Sequence, residues 1–414
     1  MSIIPPSEHA LKVPAMYRVR QLFDTDEITD IGQALRDELR REEIRALVRP
    51  GMRVALLCGS RGIHQIAEIV KTVVSILREW GAQPFIVPAM GSHGNASAAG
   101  QQEVLAGYGI TEEAVRAPIV SHMETRELGS SPSGLNVCVD RAAYEADLII
   151  PIGRVKPHTD FSGHIESGLC KMLTIGLGNH EGCSRLHRFG FEAFAGLIPE
   201  AAAHVIAHTR VGFGVAIVEN AYEKTYLVRA VPASRILEEE PGLLKTARAL
   251  MPSIQFKEID LLVIDEIGKN ISGAGMDPNI TGRTAKRPLS NFQGPRIQRI
   301  LVQGLSPDSH GNACGIGAAD FMLASMYGEI DLQATYINCV TSGTPESGQI
   351  PIQVKDLDEG ILAGLSSCAG INQSAPRVVR IPNTLRLGDI LVSEALLEEA
   401  RLHPRMEILG ASPV

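Results

Sequence analysis

The stretch RVALLCGSRGIHQIAEIVKTVVSILREWG, residues 53–81, decides the fold. Its first part is an apolar run of strand length (54–57) that enters the glycine-flanked turn CGSRG, and the remainder carries apolar residues at helical spacing. This is a β-loop-α unit. The pattern recurs in QPFIVPAMGSHGNAS (83–97), where a strand gives way to a loop ahead of a helical stretch at 98–108, and in ADLIIPIGRVKPH (146–158). In open α/β sheets the loops at the carboxyl ends of strands build the site, so these three loops are predicted to converge.

A chain of 414 residues is too long for one typical core. The expected division is an N-terminal domain over 1–252 and a C-terminal domain over 253–414, with the boundary near Pro252, where MPSIQFKE interrupts the helical pattern. Before it, 199–208 reads as a helix with Pro199 in its first turn, and 233–240 and 243–250 read as two helices separated by Pro241-Gly242. After it come strands in IDLLVIDEIG (259–268) and RIQRILVQGLSP (296–307), a helical AADFMLASMYG (318–328) and a strand-like LQATYINCVTSG (332–343). A closing helix is expected over 391–402, with packing back onto the first domain left open. The fold class is α/β: two unequal domains of mostly parallel sheets flanked by helices, with a cleft between them.

Composition narrows the function. A net charge of -8, 4% aromatic residues and a single Trp argue against nucleic acid. The start, MSIIPPSEHALKVPAMYRVR, lacks the basic, apolar and cleavage segments of a signal peptide, and apolar runs such as 148–152 are far short of a membrane span. A cytoplasmic protein with no membrane contact is the expectation. Seven cysteines without a CxxC pair predict reduced, mostly buried thiols.

The loops carry the chemistry. Arg61, among small residues at a strand end, has the fork geometry to clamp a carboxylate or phosphate, the alternative being a surface arginine in a tight turn. His93, in Gly91-Ser92-His93-Gly94, is placed to approach a ligand as a general base or to bond its own loop. The third loop opens RVKPHTDFSGHIESGLCKMLTIGLGNHEGCSRLH (154–187), whose histidines at 158, 164, 180 and 187 are spaced too widely for a simple zinc knuckle. Lys171, beside Cys170 in a glycine-rich run, reads as a cofactor anchor or an exposed loop lysine. GKNISGAGMDPN (268–279), followed by Thr281-Gly282-Arg283, is a long non-periodic loop of the kind that contacts ligands, or an Ω-loop that only packs.

Together these segments resemble the lactate racemase superfamily, enzymes that use a nickel-pincer nucleotide. The likeness covers most of the chain: an Arg-containing turn after an early strand, a GxH loop about thirty residues later, and a strand ending in His before FSG, Lys and His. The resemblance implies a racemase or epimerase that inverts C2 of a 2-hydroxy acid by hydride transfer. It makes His93 and His158 the acid/base pair, Arg61 and Arg283 substrate-binding residues, and His187 the nickel ligand in preference to His180. Lys171 becomes the cofactor residue, with further cofactor contacts at Ser60, Gly163, Gly176, Gly178 and Asn279. The implied partners are a 2-hydroxy acid, the cofactor-maturation proteins and, optionally, a second copy of the chain as a homodimer.

Two departures mark a divergent branch. FSGHIESGLC stands where relatives with lactate activity have a compact FSGG turn, and Cys58-Gly59 stand where an acidic residue is expected. Two other classes compete: a Zn- or Mn-assisted lyase or hydrolase using His93, His158 and His164 with Asp160 or Glu166, and a non-enzymatic protein closing on an anion through Arg61 and Arg283.

Overall fold

The computed structural model describes residues 11–285 and 292–412. The first ten residues of the N-terminal segment read above lie outside them. The chain forms two units, one of residues 24–251 and one that joins 1–23 to 252–414.

The 24–251 unit is built on a five-stranded sheet in the order Gln83–Pro88, Arg53–Cys58, Leu148–Arg154, Phe213–Glu219, Thr225–Pro232. The first four strands are parallel and the last is antiparallel. Leu56 and Leu57 point to opposite faces and both are fully buried, the mark of a parallel sheet covered on both sides. The predicted helix after the first strand is Ile66–Glu79, and its buried Ile69, Val70, Val73 and Leu77 cover one face.

Two proline-based expectations fail in this unit, for one reason. The helix around Pro199 starts at Phe194 rather than at the proline, and Ile236–Leu250 runs unbroken through Pro241. Proline inside a helix forfeits a hydrogen bond, but the buried stripes Phe194, Leu197, Ile198, Ala201, Ala202, Val205 and Ile236, Glu240, Leu244, Ala247 keep each helix packed across the break.

The other unit holds an eight-stranded sheet in the order Ile352–Val354, Phe321–Leu323, Arg296–Leu305, Glu258–Ile267, Val378–Ile381, Asp389–Ser393, Met16–Gln21, Met406–Ser412. Its first five strands are parallel and the rest antiparallel. Met16–Gln21, from the start of the chain, thus fills a slot between two strands from its end. Three expectations are corrected here. Residues 321–323, read as helix, pair with Leu301 and Val302 as a strand, and helix follows only at Ala324–Tyr327. The strand-like 332–343 contains a helix, Leu332–Thr341, because Asp331 caps it by accepting the Ala334 N–H and buries Thr335 and Cys339 one turn apart. Of the closing helix at 391–402 only Leu397–Leu402 is α-helical, since 391–393 belong to the strand that pairs with Met16–Gln21. Among the described residues no single helix is long and apolar enough to cross a membrane.

Candidate active site

The three loops do converge, because Gln83–Pro88, Arg53–Cys58 and Leu148–Arg154 are adjacent parallel strands whose carboxyl ends share one edge. The first loop meets the second through a short hydrogen bond between Ser60 Oγ and His93 Nδ1. Arg61 remains solvent-accessible. Its pKa is lowered, first by desolvation and then by Arg154, with Tyr108 and Asp160 opposing. Cys58, where an acid was expected, is buried and its thiol is pushed up to about 12, so it stays neutral.

The His93 loop is held by its glycines. Gly94 adopts φ +67°, and a Cβ there would lie 2.5 Å from the Gln101 backbone nitrogen. Gln101, fully buried, donates from Nε2 to Gly91 O at 3.1 Å. Gly94→Ala should therefore cost about 2–3 kcal/mol of stability, read from the urea midpoint, because it combines a disfavoured φ with a backbone clash. A change below about 0.5 kcal/mol would show that the loop relaxes freely.

The third loop places His158 and Lys171 in contact. Lys156 and Ser167 exchange backbone hydrogen bonds at 2.9 and 3.2 Å and so close the base of the loop. The residues between Lys156 and Ser167 loop out from this base, and Lys171 Nζ lies 2.8 Å from His158 Nε2. The Asp160 N–H donates to His158 Nδ1 at 3.0 Å. A backbone N–H only donates, so neutral His158 carries its proton on Nε2 and can donate it to a neutral Lys171 amine. Desolvation, then the nearby Arg61 charge, push the Lys171 pKa down to about 8 against Asp160 and Cys183, which brings the neutral amine within reach at mildly alkaline pH.

Lys171 does not sit in a loop. Leu169–Lys171 is the first turn of a helical segment that passes through a π-helical stretch, Met172–Gly176, into the helix Asn179–His187. Such π turns recur at functional sites. Gly176 and Gly178, read as cofactor contacts, are both buried. A Cβ on Gly176 would lie 2.6 Å from Ala89 O, so glycine there lets this segment pack against the second loop.

His187, on the last turn of Asn179–His187, has Nδ1 2.7 Å from Cys183 O. That carbonyl can only accept, which puts the proton on Nδ1 and leaves the Nε2 lone pair for a metal. Cys183 Sγ is 3.5 Å from the same nitrogen and 3.7 Å from Ser92 Oγ, tying this helix to the His93 loop. His164 and His180 are exposed.

An aromatic chain links the two engaged histidines: His158 to Phe161 at 4.5 Å, Phe161 to Phe194 at 5.5 Å, and Phe194 to His187 at 5.2 Å. Phe191 packs on both His187 and Phe194. Phe161 entered the sequence reading only as part of the FSG motif, and Phe191 and Phe194 were not singled out, although four of the chain's 10 phenylalanines fall at 161, 189, 191 and 194.

Asn279 and Arg283 belong to the other unit. Asn279 is turned onto Asp277, which accepts both its N–H and its Nδ2 at 2.9 Å. The Arg283 fork is engaged by both carboxylate oxygens of Asp320. Among the described residues no three His, Cys, Asp or Glu side chains gather as a metal-binding group, so the direct Zn or Mn cluster of the competing reading is not assembled.

Comparison with known proteins follows the same lines. Residues 4–195 match the family described as the lactate racemase N-terminal domain. The solved structure of the lactate racemase apoprotein from Thermoanaerobacterium thermosaccharolyticum is similar in fold, with a TM-score of 0.53 at 13% identity over 89% of this chain and 99% of that one. No curated protein sequence matches.

Proposed function

From the membership of this chain in the lactate racemase superfamily, which residues 4–195 carry, we propose that it inverts the C2 centre of a 2-hydroxy acid with the help of a nickel-pincer nucleotide. The observation that carries the proposal is the pairing of His158 with a Lys171 whose pKa is near 8, joined through Phe161 and Phe194 to His187, whose Nδ1 is engaged by Cys183 O. These residues fit the cofactor: Lys171 offers an amine whose lowered pKa makes its neutral form accessible, and His187 an imidazole donor of the kind nickel accepts. When bound, the nickel-pincer nucleotide supplies an electrophile able to take and return the C2 hydride, which a weakly acidic C–H beside a carboxylate requires.

The chain's own residues do the rest. Arg61 pairs with the substrate carboxylate and fixes its orientation. His158 takes the hydroxyl proton of one enantiomer on Nε2 and returns it in the reverse direction, for which the ring must carry its own proton on Nδ1 in the substrate complex and release the Asp160 N–H; His93, on a separate loop, serves the other enantiomer. Ser60, bonded to His93 Nδ1, sets the orientation of that ring. Phe161, Phe191 and Phe194 give the site an apolar wall, which strengthens each of these interactions. Arg283, in the other unit, is held there by Asp320.

Protein produced together with the cofactor-maturation proteins is expected to hold nickel near one equivalent, and His187→Ala to lose it. A single enantiomer incubated in deuterated water should invert while keeping its C2 protium. Full zinc occupancy without nickel, or solvent deuterium at C2, would overturn the proposal.

A further inference from the structure

Glu166 lies in the SGHIESG segment where this chain departs from the compact turn of its relatives, and its side chain is 1% exposed. Both carboxylate oxygens are used. Oε2 accepts the His158 N–H at 2.6 Å, Oε1 accepts the Gly163 N–H at 2.7 Å, and Arg248 pairs with Oε1. Arg248 comes from the helix Ile236–Leu250, and the same Nη2 also donates to Gly163 O at 3.1 Å. A buried carboxylate is tolerated only with this kind of saturation, and its bonds to backbone N–H groups are the strong, charge-assisted kind.

We propose that Glu166, backed by Arg248, is the positioning residue of His158. It stitches the middle of the loop (Gly163) to its start (His158), while the Lys156–Ser167 pair closes the base. The His158 backbone is thereby fixed in the place where Asp160 N–H reaches Nδ1 and Nε2 reaches Lys171. The longer turn is thus a stiffened loop with its own internal anion. The bonds Glu166 makes within this loop are to backbone N–H groups, and its action on His158 runs through the backbone. The importance of this for turnover rests on the acid/base role proposed for His158; the positioning itself does not.

The test reads the imidazole directly, by long-range nitrogen–proton spectra of the full chain labelled at histidine, with His158 assigned by His158→Gln. The wild-type protein should show His158 in the single tautomer protonated at Nε2. In Glu166→Gln the side chain keeps one acceptor oxygen and loses its charge. The ratio of Nε2–H to Nδ1–H forms should then fall about tenfold, the scale of one lost charge-assisted hydrogen bond. Arg248→Met, at a half-exposed position, keeps the carboxylate and removes its counter-ion. It should shift the ratio in the same direction by a smaller factor, and keeps the test open if Glu166→Gln does not fold. A wild-type His158 signature in the folded variants overturns the positioning role. Because activity is not the readout, failure of the racemase proposal would leave this result standing, and failure here would leave the nickel and deuterium tests unaffected.

Discussion

His158→Ala should lower turnover of the 2-hydroxy acid by about 10²–10⁴-fold, the range associated with a positioned general acid or base. The loss should fall on kcat far more than on KM, because Arg61, which holds the carboxylate, is a separate residue on a separate loop. The fold should survive, since the bond that anchors this position to Glu166 comes from the backbone N–H and alanine retains it. Nickel should stay bound, since the ligand role is assigned to His187, with Nδ1 on Cys183 O. Chiral chromatography of both directions, with metal content measured on the same sample, checks all of this. Activity within about threefold of wild type, with nickel retained, would remove His158 from the acid/base pair.

The mutation has a second expected readout at Lys171. Removing the imidazole takes away the group 2.8 Å from Nζ, and water can occupy the space. Desolvation is the largest cause of the depressed Lys171 pKa, so hydration should raise it from about 8 toward the ordinary value of 10.5. The pH midpoint for acylation of Lys171 by a small anhydride, followed by peptide mass spectrometry, should move upward accordingly.

The convergence of the three loops was legible in the sequence, for a physical reason. Fully buried parallel strands read as apolar runs, and the residues just past them are the ones a parallel sheet brings to a common edge. The loops that carry Ser60, Arg61, His93 and His158 are placed by that rule; the roles given to these residues come from the resemblance. What was not legible depends on contacts between residues distant in sequence. Glu166 and Arg248 are 82 residues apart, Cys170 and Glu240 are 70 apart, and Arg20 meets Asp389 across 369. No local pattern marks such pairs. The helices that run through Pro199 and Pro241 and the helix at Leu332–Thr341 are the same case: local propensity favoured a break or a strand, and burial of one stripe outweighed it. The segment 169–187 was misjudged in the opposite direction. Its glycines read as loop, whereas Gly176 is there because a buried helical turn packs against Ala89 O.

Glu240 should make the protein less stable as pH rises from about 4.5 to about 7. Its side chain is in the helix Ile236–Leu250, 1% exposed, with Oε2 accepting the Cys170 N–H at 2.9 Å and Oε1 without a hydrogen-bond partner. The vacant side-chain position at Gly168 is filled by that Oε1, so the carboxyl group packs against the start of the segment that carries Lys171. Burial raises its pKa from 4.5 to about 7, against the Cys170 and Leu169 N–H groups and the Cys170 thiol, which favour the anion. The folded state therefore holds this proton more tightly than the unfolded state. Its favourable contribution is complete below the unfolded value and is lost as pH climbs through the folded one. A shift from 4.5 to about 7 corresponds to about 3 kcal/mol. Glu240→Gln has no such proton to lose, so its stability relative to wild type should rise by that amount between the two pH values. Urea unfolding of both proteins across this range, followed by a probe in residues 24–251, measures the difference. Parallel pH profiles for the two proteins would mean that the carboxyl group ionises as if in water, and that water reaches Oε1 behind Lys171.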